Sequence, residues 1–222
     1  MKILSLLSLI FLFTAFTAAP PKKVVFFGDS ITQAGVRPGG YITLIQEMLK
    51  DKGMQDKYQV FGEGIGGNKV YDLYLRMEDD VFSHNPDHVF IYIGVNDVWH
   101  KASHGTGTDA DKFKKFYQAL IDKMKAKGIQ LTICTPATIG ERTDHSNSQD
   151  GDLNYYSNMI RDLAKENNCD LIDLRKEFTS YNLKNNPENL YKGVLTSDGV
   201  HLNDKGNKMV ADLMFANMTA AK

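Results

Sequence analysis

The chain has 222 residues, of which 42% are hydrophobic and 24% charged, and its formal net charge at pH 7 is −1. This length and composition suit one globular domain with a sizeable core, and they exclude a disordered or low-complexity protein. A nearly neutral chain without basic runs has no strong attraction for nucleic acid or anionic membranes, so we expect neither as a partner.

The first residues have the pattern of a secretory signal peptide. Lys2 is followed by ILSLLSLIFLFTAFTAA, an apolar run of roughly fifteen residues that ends in small residues. A transmembrane helix needs about 20 apolar residues, so an uncleaved anchor is the weaker alternative. We expect residues 1–19 to be removed near Ala18 or Ala19. The mature domain, residues 20–222, is then expected to be exported to the periplasm or the medium without a membrane anchor.

Short apolar runs alternate with longer amphipathic segments along the rest of the chain. The apolar runs predict buried strands at Val24–Phe27, Tyr58–Phe61, Val89–Ile93, Leu131–Cys134 and Leu171–Asp173. The segments between them predict helices, most clearly over Phe113–Met124, and polar stretches predict loops at 101–108, 141–152 and 182–196. Strands that alternate with helices form a parallel sheet covered on both faces, so we predict an α/β fold.

The two cysteines are expected to be free thiols. Cys134 ends one predicted strand, whereas Cys169 precedes the next. If these strands are parallel neighbours, the cysteines lie at opposite ends of the sheet, well beyond the Cα separation of about 7 Å that a disulfide spans.

Parallel sheets bind ligands beyond the carboxyl ends of their strands, so the residues after each apolar run are the candidates. Gly28-Asp29-Ser30 follows the first strand, GEGIGGN at 62–68 the second and GVNDVW at 94–99 the third, while SDGVHLND at 197–204 precedes the last helix. Together they supply a serine, glycine amides, an asparagine, an aspartate and a histidine. Acyl transfer needs this set: a serine activated by a carboxylate-oriented histidine, and N–H donors for the oxyanion.

These four stretches resemble, in order, the four signature blocks of the SGNH hydrolases, also called the GDSL esterase/lipase family. The resemblance covers nearly all the mature chain and implies a three-layer α/β/α sandwich with flavodoxin-like topology and a central parallel sheet of about five strands. It implies that Ser30 is the nucleophile, Asp198 the orienting carboxylate and His201 the base. It also implies an oxyanion hole formed by the N–H groups of Ser30 and Gly67 and the side chain of Asn96. No G-x-S-x-G motif occurs, which disfavours the other common serine-hydrolase fold.

No metal ion or organic cofactor is expected. His84 and His88 are separated by a proline that breaks a helix, and we place His100 and His104 in a glycine-rich loop. Neither pair has an obvious third ligand, so solvated histidines are the simpler interpretation. The glycines of residues 62–67 match a dinucleotide-binding pattern, but that pattern belongs to the first strand of its fold rather than the second.

The sequence therefore predicts a secreted serine esterase that acts on a small-molecule or glycan ester. The loops are polar and no long apolar lid is present, which favours a short acyl group, such as acetyl, on a carbohydrate or other polar alcohol. A lysophospholipase or thioesterase, an acyltransferase and a non-catalytic glycan-binding protein are the alternatives. Trp99 is a candidate for substrate binding, with packing against the sheet edge as the equal alternative. The sequence predicts no oligomeric state.

Overall fold

The computed structural model describes residues 19–220, which form one sheet with helices on both faces. The predicted signal peptide lies, apart from Ala19, outside the described residues. The strands are β1 (Lys22–Gly28), β2 (Tyr58–Gly64), β3 (His88–Tyr92), β4 (Gln130–Cys134) and β5 (Asp170–Ile172). The helices are α1 (Ser30–Gly35), α2 (Tyr41–Asp51), α3 (Val70–Asp80), α4 (Val95–His104), α5 (Ala110–Ala126), α6 (Asp150–Glu166), α7 (Leu174–Asn185) and α8 (Asp204–Thr219).

All five strands are parallel, in the order β2-β1-β3-β4-β5. In β1, Val24 is paired with Val60 on one side and with His88 on the other. The predicted flavodoxin-like topology is therefore confirmed. Strands β2 and β3 lie on opposite sides of β1, so the chain reverses its direction across the sheet after β2. Such a switch point opens a crevice at the carboxyl ends of the strands.

The core forms where the sheet is covered from both sides. Residues Val24–Phe27 are fully buried, since side chains on both faces of β1 meet a helical layer. Phe26 stacks on Phe90 of β3, with ring centroids 4.8 Å apart. Burial of one such aromatic side chain stabilises the fold by about 1.5–3 kcal/mol.

The helices form two groups that pack on opposite faces of the sheet. Helix α2 contacts α1 and α8, whereas α5 contacts α3 and α6. The predicted apolar face of α5 is confirmed, because Phe113, Tyr117 and Met124 are fully buried. The helix ends before Gly128, whose φ of 74° is the left-handed conformation that glycine adopts most easily.

Three of the predicted loops are partly helical. Helix α4 extends to His104, α6 begins at Asp150 and α7 extends to Asn185. The placement of His100 and His104 in a loop was wrong, because both lie on α4 with ring centroids 4.5 Å apart. Helix α4 buries Val95 and Val98 against the fold, so tertiary packing holds a segment whose polar composition resembles that of a loop.

The described residues also show the state of the two cysteines and whether acidic, histidine and cysteine side chains cluster. Cys134 lies opposite Ile172, whereas Cys169 precedes β5, and both cysteines are free thiols. Within residues 19–220, no three His, Cys, Asp or Glu side chains are grouped closely enough to hold a metal ion.

The same part of the chain contains no helix with the length and apolarity that crossing a membrane requires.

Candidate active site

Ser30 lies at the carboxyl edge of the sheet, where β1 turns directly into α1. The side chain of Asp29 caps α1 by accepting a hydrogen bond from the Ile31 N–H at 2.9 Å. A Cβ atom at Gly28 would lie 2.3 Å from Thr32 Oγ1 and 2.4 Å from the Tyr92 carbonyl oxygen, so only glycine fits this turn. The strand therefore ends where glycine allows the backbone to present the first residue of a helix, which is Ser30.

A chain of hydrogen bonds links Ser30, His201 and Asp198. Ser30 Oγ lies 3.0 Å from His201 Nε2, and Asp198 Oδ2 lies 2.7 Å from His201 Nδ1. Because a carboxylate only accepts, the proton belongs on Nδ1 and the lone pair of Nε2 faces the serine hydroxyl. The structure thus brings together the three side chains that the resemblance singled out.

The Asp198 carboxylate is held by its own turn. Its Oδ1 atom accepts the N–H groups of Val200 at 2.9 Å and of His201 at 2.8 Å. Burial would raise the pKa of Asp198, but the hydrogen bonds from the His201 ring and from these N–H groups outweigh it and hold the pKa below its ordinary value. Asp198 therefore stays ionised beside the imidazole.

The hydrogen-bonded chain of Ser30, His201 and Asp198 lies close to the surface rather than in a deep cavity. The side chains of His201 and Asp198 are 35% and 46% exposed. Such a site is open to an ester carried on a large molecule as well as on a small one.

The loop after β2 lies next to Ser30 and is joined to α4. Gly67 has a φ of 78°, which favours glycine, and a Cβ atom at the preceding Gly66 would lie 3.9 Å from Ser30 Cβ. The Asn96 side chain is buried and donates from Nδ2 to the Asn68 carbonyl at 3.1 Å. This hydrogen bond uses one of the two protons of the amide.

Arg76 of α3 joins the ends of β1 and β2, and sequence reasoning missed it. Its guanidinium donates to the carbonyls of Gly28 at 2.8 Å and Glu63 at 3.1 Å, and to Asn68 Oδ1 at 2.7 Å. It also lies over the Phe27 ring, 4.5 Å from the centroid. No local pattern marks this arginine, because its contacts come from segments that the fold alone brings together.

Two buried carboxyl groups lie beneath the site. Burial raises the pKa of Asp29 to about 7 and that of Asp97 to about 6. Asp97 Oδ1 accepts the Val70 N–H at 3.2 Å, which joins α4 to the start of α3. Lys69, nearly buried, donates from Nζ to the Gly67 carbonyl at 3.2 Å and places a positive charge near Asp97.

Trp99 and His100 of α4 border the site. The Trp99 ring lies edge-on to His201, with centroids 6.1 Å apart. The His100 ring is 5.6 Å from that of Trp99 and 3.9 Å from where a Gly67 Cβ would be. Burial and the nearby charges of Lys69 and His104 lower the pKa of His100, which favours its neutral form.

A serine hydroxyl bonded to a carboxylate-oriented histidine, at the switch point of a parallel sheet, is the site of a serine ester hydrolase. Comparison with known proteins defines the group further. The model of the GDSL-like Lipase/Acylhydrolase family matches residues 26–209. The chain belongs to this family, as the sequence predicted.

Several relatives are esterases of known name. The crystal structure of the acetyl xylan esterase AlAXEase is 71% identical, with a TM-score of 0.87 over 88% of this chain and 98% of that one. An acetylxylan esterase of Geobacillus stearothermophilus is 29% identical over 86% of this chain and 90% of its own length. The crystal structure of Axe2, an acetylxylan esterase from the same organism, is 25% identical, with a TM-score of 0.78 over 91% and 96% of the two chains.

Catalytic mutants of Axe2 have also been solved. They carry alanine in place of a serine, an aspartate or a histidine, and that aspartate and histidine are three positions apart.

Proposed function

We propose that the protein removes acetyl groups from acetylated xylan or its oligosaccharides, with Ser30 as the nucleophile. The observation that carries this proposal is the unbroken chain of hydrogen bonds from Ser30 through His201 to Asp198. The substrate class is supported by the 71% identical structure, which is an acetyl xylan esterase. The spacing of Asp198 and His201 equals that of the aspartate and histidine replaced in the catalytic mutants of Axe2.

The geometry supports the following reaction. Ser30 Oγ attacks the acetyl carbonyl carbon while its proton moves to His201 Nε2, and Asp198 stabilises the imidazolium that forms. The oxyanion accepts hydrogen bonds from the Ser30 N–H, the Gly67 N–H and Asn96 Nδ2. The intermediate collapses to an acetyl-serine, and His201 returns the proton to the sugar oxygen as the alcohol leaves. A water molecule, deprotonated by the same histidine, then attacks the carbonyl carbon of the acetyl-serine, and His201 returns the proton to Ser30 Oγ as acetate leaves.

Each oxyanion donor is supported by its position. As the first residue of α1, Ser30 has an N–H group that the helix does not use. Asn96 is held through Asn68, next to Gly67, so the amide and the glycine loop move together. Loss of one such donor typically costs about 3–4 kcal/mol of transition-state stabilisation.

The open site and Trp99 support a carbohydrate ester. A partly exposed indole beside the base gives a sugar ring an apolar face to stack on, while the polar surroundings leave its hydroxyls solvated. A long acyl chain would instead need a covered apolar channel.

The direct test is acetate release from acetylated xylo-oligosaccharides by the mature protein, beside Ser30→Ala and the control Ser148→Ala, an exposed serine on another loop. We expect release by the wild type and the control, and a loss of at least about 10³-fold in Ser30→Ala. A parallel series of 4-nitrophenyl esters measures acyl preference. Faster cleavage of decanoyl than acetyl esters would contradict the proposal and favour a lysophospholipase or thioesterase.

Labelling by a fluorophosphonate separates an enzyme from a glycan-binding protein, since only an activated serine reacts. We expect modification of Ser30 and none in Ser30→Ala. An unlabelled wild type that still binds xylan would contradict esterase action.

We further propose that the protein is exported after removal of residues 1–19. The charged start, apolar run and small residues of this segment support the proposal. Sequencing the amino terminus of the protein from the periplasm or medium of an expressing bacterium tests it. A chain that stays in the cytoplasm and retains Met1 would refute it.

A further inference from the structure

Glu141 is a buried carboxylate that the reaction scheme does not use. It lies in a stretch expected to be a polar loop, yet its side chain is completely buried. Its Oε1 atom accepts the N–H groups of Leu195 at 2.6 Å and Thr196 at 2.8 Å, and Oε2 accepts the Val194 N–H at 2.8 Å. A single carboxylate thus satisfies the backbone of three successive residues.

Those residues begin the segment that carries the base, residues 193–203, here called the catalytic loop. An antiparallel bridge between Thr196 and Leu202 closes this loop on itself. Inside it, the Ser197 N–H donates to the His201 carbonyl at 2.8 Å, and the Gly199 N–H donates to Thr196 Oγ1 at 3.1 Å. The turn that carries His201 is therefore closed by its own hydrogen bonds, and its first residues are bound by Glu141.

The main chain around Glu141 binds the same unit. The Gly140 N–H donates to the Gly199 carbonyl at 2.8 Å, and the Glu141 N–H donates to the Tyr191 carbonyl at 2.8 Å. The Asn186 side chain in turn donates to the Glu141 carbonyl at 2.8 Å. The catalytic loop is thus attached to the segment between β4 and α6, which is anchored in the sheet.

We propose that Glu141 is a positioning residue for catalysis, which sets the distance from His201 to Ser30 by holding the first residues of the catalytic loop. The proposal rests on the proposed function of that site. His201 comes from the catalytic loop and Ser30 from the start of α1, so their 3.0 Å contact depends on how the loop is positioned. A displacement of about 1 Å at a reacting group costs about 10²-fold in rate.

The replacement Glu141→Gln tests this with the least change in shape. One amide oxygen can still accept two N–H groups, but the amide nitrogen must face a third donor, so the loop shifts without a cavity. We expect kcat for 4-nitrophenyl acetate to fall about 10²-fold while KM changes less than about threefold, because binding is untouched and orientation is lost.

A second measurement, proton NMR, reports on the hydrogen bond between His201 and Asp198. The proton on His201 Nδ1, shared with Asp198 at 2.7 Å, should give a downfield proton resonance in the wild type. We expect this resonance to shift or broaden in Glu141→Gln, which a uniform loss of stability in a still-folded protein would not produce.

Asp173→Asn is the matched control. Asp173 also accepts a backbone N–H, from Lys176, and contacts Arg161 and Thr135, but it lies outside the catalytic loop. We expect a loss of stability with kcat and the resonance unchanged.

Three results would overturn the positioning role: a kcat of Glu141→Gln within threefold of the wild type, an unchanged resonance, or an equal loss of kcat in Asp173→Asn. Failure of the wild type to cleave 4-nitrophenyl acetate would instead refute the proposed function, and the resonance would still decide whether Glu141 seats His201.

Discussion

Replacing Asp29 with asparagine should change how stability depends on pH. Burial, reinforced by the charge of Asp97 and opposed by the Ile31 N–H and by His201, raises the pKa of Asp29 from 3.8 to about 7 in the folded protein. Between about pH 4 and 7 the folded protein therefore binds more protons than the unfolded chain, so its free energy of unfolding falls as the pH rises. The fall is complete about one pH unit above that pKa, near pH 8.

The magnitude follows from the same values. A pKa that moves from 3.8 to about 7 corresponds to at most about 4 kcal/mol of stability lost between these limits. Asparagine keeps the oxygen that caps α1. Because it does not ionise, Asp29→Asn should not lose this stability as the pH rises. The variant should gain on the wild type as the pH rises from 4 to 8, by about 2–4 kcal/mol.

Urea denaturation of both proteins at intervals from pH 4 to pH 8 measures the difference directly. Asp97→Asn provides a comparison, since its carboxyl group is also buried and has a pKa raised to about 6. A difference between wild type and Asp29→Asn that does not vary with pH would show that Asp29 ionises as in the unfolded chain. If Asp29→Asn instead became less stable relative to the wild type as the pH rises, the folded protein would favour the carboxylate, and the reasoning would be refuted.

Three further replacements test the site. Asp198→Asn should lower kcat/KM for 4-nitrophenyl acetate by about 10³–10⁴-fold, because the imidazole loses the partner that orients it; initial rates measure this, and a loss below tenfold would contradict the role. Trp99→Ala should raise KM for acetylated xylo-oligosaccharides about tenfold but alter 4-nitrophenyl acetate kinetics little, and equal effects on both substrates would argue against stacking. Gly64→Ala should destabilise the protein by at least about 2 kcal/mol in urea denaturation, because the new Cβ would lie 2.0 Å from the Gln33 nitrogen; unchanged stability would refute this close contact.

The sheet and the residues at its edge could be predicted because their signals are local. Four consecutive apolar residues, Val24–Phe27, mark β1. The turn that begins at Gly28 ends this run just before Ser30. The apolar periodicity over Phe113–Met124 likewise marks α5, whose Phe113, Tyr117 and Met124 are fully buried.

The supports of the site could not be predicted in this way. Glu141 stands among polar residues in the sequence, and only the three N–H groups of a distant loop show why it is buried. Arg76 lies on an amphipathic helix like any solvated arginine, but it bonds to the ends of two strands. Helix α4 was taken in part for a loop because its polar residues outnumber the few that pack. These features depend on contacts between distant segments, which a single sequence does not display.

Ser30 and His201, the proposed nucleophile and base, are 171 positions apart in the chain, and that distance makes the order of synthesis matter. A ribosome completes the nucleophile, the glycine loop and Asn96 long before it reaches Asp198 and His201. Until residues 193–203 emerge and seat themselves, the growing polypeptide holds a serine with no proton acceptor. Under the proposed mechanism, a chain that stops before residue 193 is an inert fragment, and ester cleavage reports that residues 193–203 have been made and have docked.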